Sequence, residues 1–260
     1  MPEIPTHLFR YFSINDQTNF KWIESIFSER KLFFPTADMF NDPFDCNVDL
    51  VRFSRDKEKW KQYMEGMAKR KHPDWNRSTR RSWVTKQINN RIYDKINFNT
   101  IRENLKKRFY QNGILCLTEV PDNLLMWSHY ANGHRGFCLC FEHNNPFFGE
   151  SVQVEYIEEY PEITGPSYPE EEEIRATVFS KSKIWEYEKE WRLVKIGGGK
   201  QDHVYPEGAL KAVFFGCQME NTHKHMIFKW ANSMSIVPEV LEYRREKRIF
   251  GLKPYQWKLT

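Results

Sequence analysis

No window of this 260-residue chain approaches the ~18 uninterrupted apolar residues of a membrane span. The first residues, MPEIPTHLFRYF, lack the basic start and apolar run of a signal peptide. No membrane partner is expected, and the expected location is cytoplasmic. Cysteine is sparse and odd in number: Cys46, Cys116, Cys138, Cys140 and Cys217 form no CxxC pair. A zinc site would need a second regularly spaced pair of ligands, so no metal is expected and the thiols read as buried and free. Cys138 and Cys140, two apart in a strand-like run, point to the same side. Internal repeats, low-complexity tracts and regular βαβ alternation are also lacking, which leaves α+β with a mixed, largely antiparallel sheet, flanking helices and a basic helical insertion as the fold class. The length fits one domain over 1–260, with that insertion at 52–110.

Aromatic residues are abundant. They make up 16% of the chain within an apolar fraction of 40%, which excludes a disordered polymer and places many rings in the core. The net charge of +4 conceals two opposed regions. Residues 52–108 carry 18 Lys and Arg against 6 Asp and Glu, whereas 142–190 carry 4 against 13. The first balance, +12, suits nucleic acid or a phosphate-rich ligand, and it equally suits a solvated helical face partly neutralised by the acidic half.

Periodicity predicts the order of elements. LFRYFS reads as a strand, a helix follows from about Asn19 with Phe20, Ile23 and Phe27 on one face, and KLFF is again a strand. PTADMFNDPFDC is turn-rich, and Asp42 before Pro43 is pushed toward extended backbone. From Ser54 to about Phe109 the pattern is helical and polar: Trp60, Met64 and Met67 form one stripe, while Val84, Ile88, Ile92 and Ile96 recur every four residues. Two or three helices are expected there. ILCLTE is a strand. PDNLLMWSHYANG is a short helix with Asp122 as N-cap and Gly133 just past its end. GFCLCF, apolar on both faces, belongs in the middle of a sheet. VQVEYI continues in strand rhythm, and an acidic loop over 161–173 leads into a short helix through Val178. WRLVKI, LKAVFFG and MSIVPEVLEY are later strands, with a helix over about 221–231.

Two segments concentrate the chemistry. In WEYEKEWRL, a strand beginning at about Glu188 would put Glu188, Glu190 and Arg192 on one face. Such a pair of carboxylates can polarise a nucleophile or hold a sugar hydroxyl, or it can neutralise Arg192 or Arg135 as a structural ion pair. In LLMWSHYANGHRGFCLCF, Leu124, Trp127 and Ala131 face the core, leaving Ser128 and His129 on other faces. His129 suits a general base. Neighbouring side chains diverge by ~100°, so Ser128 and His129 do not make a hydrolase dyad, and no G-x-S-x-G elbow is present. Tyr130, His134 and Arg135 are expected to cap backbone and hold the turn. Asn41, Asp42 and Asp45 read as turn chemistry or as metal ligands. On the first strand, Arg10 suits a phosphate grip or a pairing with Glu188 or Glu190.

LFRYFS (8–13), FNDPFDC (40–46), LLMWSHYANGHRGFCLCF (124–141) and KIWEYEKEWRL (183–193) together resemble a bacterial family of unknown function, domain-of-unknown-function family 2971. The order Arg10, Ser128, Glu188 and Glu190 also looks like the arginine, serine, glutamate set of ADP-ribosyltransferases, which act on NAD at the nicotinamide glycosidic bond. That resemblance implies that Arg10 contacts phosphate or ribose, that Ser128 orients the nicotinamide ribose, and that Glu190, with Glu188 beside it, holds a ribose hydroxyl or activates the acceptor. Tyr11, Trp127, His129 and Trp191 would then line the small nucleotide ligand, with Trp127 or Trp191 stacking on it. Two other function classes stand beside it. One is a nucleic-acid-binding module using 52–108; the other is a metal-assisted nuclease or hydrolase using Asp42, Asp45, His129 and Glu190.

Overall fold

LFRYF, ILCLT, FCLCF and EWRLV, each six residues or fewer and rich in large apolar side chains, all enter one eight-stranded sheet. A computed structural model of the chain describes residues 4–14, 20–165 and 176–259. In chain order its elements are β1 (His7–Phe12), α1 (Phe20–Ser28), β2 (Lys31–Phe34), β3 (Arg52–Phe53), α2 (Lys57–Lys71), α3 (Arg77–Asn89), α4 (Ile92–Lys95), α5 (Phe98–Phe109) and β4 (Gly113–Thr118). Then come α6 (Leu124–Tyr130), β5 (Phe137–Glu142), β6 (Val152–Gln153), β7 (Glu155–Ile157), β8 (Glu162–Ile163) and β9 (Ser180–Ser182). The chain finishes with β10 (Glu190–Lys195), β11 (Gln201–Val204), β12 (Leu210–Phe215), α7 (Asn221–Asn232), β13 (Glu239–Arg245) and β14 (Leu252–Gln256). The fold is α+β, with a mixed and mostly antiparallel sheet.

The chain divides into two compact units. The first comprises Met1–Thr36, Gln111–Val154 and Ile184–Thr260 and holds the whole large sheet, in the order β14-β13-β12-β5-β1-β4-β10-β6. All neighbours are antiparallel except β12 and β13, whose parallel pairing is made possible by the crossover helix α7. β5 lies at the centre and is buried along its length, as its two apolar faces require. One face of the sheet presents Leu8, Phe12, Leu115, Leu117, Phe137, Leu139, Phe141, Leu193, Val213 and Phe215 to a core completed by Ile23, Ile26 and Phe27 of α1 and Ile227 and Ala231 of α7. On the other face Tyr11, Cys138 and Tyr243 pack with Met126 and Trp127 of α6. Cys138 and Cys140 share a side, and both are free and buried. Burial pushes the Cys138 thiol well up and that of Cys140 to about 12.

The second unit comprises Ala37–Tyr110 and Glu155–Lys183. Four helices rather than two or three fill residues 57–109, because His72–Asn76, the left-handed Arg91 and Ile96–Asn97 each interrupt the run. Trp60, Met64 and Ala68 of α2 pack with Val84 and Ile88 of α3, and Trp60 Nε1 donates to the Ser54 carbonyl at 2.7 Å. Short ladders β3–β8 and β7–β9 belong to this unit as well. The VQVEYI run is therefore broken: β6 joins the large sheet and β7 pairs with β9. The helix start expected at Asn19 and residues 166–175, which lead into the short helix expected to end at Val178, lie outside the described residues; the described end of that helix, 176–178, is helical. Among the described residues, no helix is long and apolar enough to cross a membrane.

Between α6 and β5 the backbone turns through three successive left-handed residues, Asn132, Gly133 and His134. The Ala131 carbonyl accepts from both Arg135 N–H (3.0 Å) and Gly136 N–H (2.8 Å), closing the turn. A Cβ on Gly136 would sit 1.9 Å from the Phe12 carbonyl oxygen, so only glycine lets the turn meet β1. Gly136→Ala is expected to cost at least about 2–3 kcal/mol, seen as a large drop in the melting temperature. Gly149→Ala, where a Cβ would approach nothing closer than 3.5 Å, is expected to melt near the parent protein.

Candidate functional site

Alternation along β4 and β10 places Cys116, Thr118, Glu190 and Arg192 on the face opposite Leu115, Leu117, Trp191 and Leu193. Arg192 is wholly buried and Glu190 nearly so. Nε of Arg192 donates to Glu190 Oε1 at 2.8 Å and Nη2 to Oε2 at 2.9 Å, a bidentate pair between side chains two apart on one strand. Arg10 joins this cluster from β1. The β1–β4 ladder consists of the single register pair Phe9 and Thr118, and Arg10 Nη1 donates to the Cys116 carbonyl at 2.9 Å. Burial lowers the Arg10 pKa, against the opposing pull of Cys116 and Glu190. Burial, and then the Glu190 charge, raises the Cys116 thiol well above its ordinary value, so it stays protonated at neutral pH.

Glu188 does not share this face. Lys183–Glu188 is a 3-10 helix and the strand begins at Glu190, with the left-handed Lys189 between the two carboxylates. The period-two reading fails at Lys189 for that reason. Glu188, also buried, accepts instead from Tyr130 Oη at 2.7 Å, so α6 is tied to the segment before β10. Asn123 reinforces the tie by donating to the Tyr187 carbonyl at 3.3 Å. Asn123 rather than Asp122 is the N-cap of α6, its side chain accepting from Leu125 and Met126 N–H.

The aromatic residues expected to line a ligand are engaged elsewhere. Trp127 is fully buried, edge-on to Tyr11 (5.1 Å) and to Tyr243 (5.5 Å), with Nε1 on the Pro121 carbonyl. Tyr11 donates to the Val120 carbonyl at 2.7 Å, and burial drives its phenol pKa strongly up. Trp191 belongs to the apolar face and donates to Glu119 Oε1 at 2.7 Å. Neither indole offers a free ring to stack on. His129 is exposed, its ring 6.0 Å from that of Trp185. In the second unit Asp42 accepts from Phe44 N–H in an Asx turn, and Asp45 lies 3.7 Å from Lys181, both buried. Among the described residues, no group of three or more His, Cys, Asp or Glu converges as metal ligands would.

Ser128 turns away from Glu190 into an open cleft of about 620 Å³, lined by Leu124, Ser128, His134, Cys217, Gln218 and the hairpin residues 245–252. Its partner is His134, Nε2 to Oγ 3.3 Å, six residues on and brought back by the left-handed turn. Ser128 Oγ also donates to the Leu124 carbonyl at 2.9 Å. With its one proton committed there, Ser128 accepts from His134 Nε2–H, which leaves Nδ1 without a proton. That Nδ1 is buried and has no hydrogen-bond partner among the described residues. His134 is thus a donor to Ser128 and not its base, and burial lowers its pKa, keeping it neutral at pH 7. The opposite wall carries Arg245, Lys247 and Arg248 with one carboxylate, Glu246. Among the described residues these three cations make no salt bridge, whereas the neighbouring Arg244 and Lys224 are both held by Glu242. Phe250 (99% exposed) and Ile249 (68%) extend the same wall.

The structure therefore brings Arg10, Cys116, Glu190 and Arg192 together, links Glu188 to Tyr130, and sends Ser128 to a separate cleft. The cationic hairpin was missed by sequence reasoning. Its signal was RREKR followed by exposed IF, which a strand reading through LEY ignored. Compared with protein-family models, curated proteins and solved structures, the chain finds no match.

Removing one partner of a buried ion pair strands the other charge, so Glu190→Ala is expected to destabilise by roughly 3–5 kcal/mol in denaturant unfolding. For His134 the unfolded state takes up a proton that the folded state resists. Its contribution is therefore present above about pH 6.5, the ordinary imidazole value, and lost as pH falls through the folded pKa. The melting temperature of the parent is expected to fall more steeply from pH 6.5 to 5 than that of His134→Asn, asparagine being tolerant of the left-handed backbone here.

Proposed function

We propose that the first unit binds a phosphate-bearing small molecule of nucleotide type in the cleft between the α6 turn and the β13–β14 hairpin. The observation that carries this reading is the wall of Arg245, Lys247 and Arg248, three cations without carboxylate partners among the described residues, facing neutral Ser128, His134 and Gln218. Planar guanidinium groups suit phosphate oxygens, and unpaired charge lining a concave surface raises the local concentration of anions. The NAD implied by the ADP-ribosyltransferase resemblance is one ligand of this class. Membership of domain-of-unknown-function family 2971, proposed on the four segments, adds no reaction to it.

Action on NAD is a second reading, favoured by the electrostatic coupling of Arg10 to Glu190. It requires the Glu190 carboxylate, now held on both oxygens, to leave Arg192. Contact with nucleic acid through 52–108 is a separate reading, favoured by Lys69, Arg70, Lys71, Arg77, Arg80 and Arg81, which make no salt bridge among the described residues.

Calorimetric titration with NAD, ADP-ribose, ADP and pyrophosphate at low salt tests the cleft. Binding of at least one is expected, weakened about 10- to 100-fold in Arg245→Glu/Arg248→Glu, the loss expected for one or two charge-assisted contacts. No binding, or equal binding by the variant, would remove the proposal. Nicotinamide release by the parent and not by Glu190→Gln would favour the enzymatic reading.

A further inference from the structure

The cations of the second unit fall into two sets. Some of those on its helices and ladders are paired: Arg52 with Glu159, Lys59 with Glu162, Lys61 with Glu58, Arg91 with Asp94, and Lys106 with Asp49 and Glu103. Others make no salt bridge with a carboxylate among the described residues; Lys57, Lys86, Lys95, Arg102 and Lys107 of these are spread along the four helices, and six more are concentrated in one place. Lys69, Arg70 and Lys71 end α2, and Arg77, Arg80 and Arg81 begin α3. Among the described residues none of the six makes a salt bridge, and Asp74 is the one carboxylate in the segment 69–81. Because α2 and α3 share the cluster of Trp60, Met64, Ala68, Val84 and Ile88 and are joined by only 72–76, these two helix ends adjoin.

An ordinary solvated helical face mixes signs, so six cations against one carboxylate within 69–81 need another explanation. The α2 end accepts its cations well, since the helix dipole is negative there. The α3 end does not: Arg77 and Arg80 sit in or next to a first turn that carries no acid, where the dipole is positive. Bound anions would relieve both the mutual repulsion and this mismatch. The junction also carries a π surface. The rings of His72 and Trp75 stack at 3.8 Å and 5°, with Trp83 edge-on at 6.2 Å from Trp75, and all three are half-buried rather than enclosed.

Cations that take phosphates beside an aromatic platform that takes a base are the two components of single-strand recognition. We infer that the α2–α3 junction binds single-stranded nucleic acid, its backbone on the six cations and an unpaired base on the His72–Trp75 stack. This rests on the reading of 52–108 as a nucleic-acid contact and assigns it to one place.

Fluorescence anisotropy of a labelled single strand of about 20 nucleotides, titrated with the full chain across a salt series, tests it. Six phosphate contacts predict a log–log salt slope of about −4. Arg77→Glu/Arg81→Glu, both exposed positions, is expected to weaken binding at least tenfold and flatten the slope by about 1.4. Trp75→Ala is expected to weaken it roughly tenfold while Trp75→Phe retains most of the affinity. The control Lys95→Glu/Lys107→Glu should bind within about twofold of the parent, and all variants should melt near it. Absence of binding by the parent at low salt overturns the reading of 52–108 altogether. Binding that survives the Arg77/Arg81 reversal but fails in the control overturns the junction alone. Equal affinity for anionic lipid vesicles, or an undiminished Trp75→Ala, overturns the choice of a single strand as the ligand.

Discussion

The burial of Trp127 is the contact on which the α6 wall of the first unit's cleft depends. Its ring is enclosed by Tyr11 and Tyr243, which stand on β1 and β13, and its indole nitrogen is satisfied by the Pro121 carbonyl. Full burial of a side chain of this size contributes several kcal/mol of apolar transfer, and the geometry of both edge-on contacts restricts how α6 lies on the sheet. From that anchor the rest follows. Trp127 offers its carbonyl to His134 N–H, Gly136 presses on β1, and His134 in turn accepts from Gln218 N–H. The histidine ring is thereby delivered to Ser128 at one wall of the cleft.

The charged cluster on the same sheet shows how burial decides chemistry. A carboxylate beside an arginine on a strand reads equally as a catalytic acid or as an ion pair. With Glu190 and Arg192 both withdrawn from water, each is the other's main compensation for lost solvation, and the bidentate geometry occupies both carboxylate oxygens. Cys116 beside them is held neutral by the same desolvation. The contrast is with Arg245, Lys247 and Arg248, whose charges face an open cleft. A ligand meets the second set first.

Each unit carries its own kind of cationic surface. In the first, a hairpin supplies three positive charges to a concavity with a neutral polar floor, which suits a small molecule. In the second, two helix ends bring six cations beside half-buried aromatic rings, which suits a chain. Among the described residues, none of the cations in either set makes a salt bridge.

Local pattern in the sequence was enough for much of this protein. Alternation in LFRYF, ILCLT, FCLCF and WRLVK identified the central strands, since a strand's two faces are written every second residue. The doubly apolar FCLCF pointed to the middle of the sheet, and the stripe Val84, Ile88 with Trp60, Met64 identified the helical region. Arg10, Glu190 and the α6 segment stand out in the sequence because charge or histidine amid apolar strands needs a reason. What local pattern could not decide was partnership. The single left-handed residue Lys189 separates Glu188 from Glu190 and sends one to Tyr130 and the other to Arg192, and period-two counting cannot see a positive φ at a lysine. Ser128 meets His134 rather than any glutamate because three left-handed residues fold the chain back upon α6. The cleft itself is made by side chains more than a hundred residues apart, and only the sheet order that places β13 beside β12 and β12 beside β5 brings them to one surface.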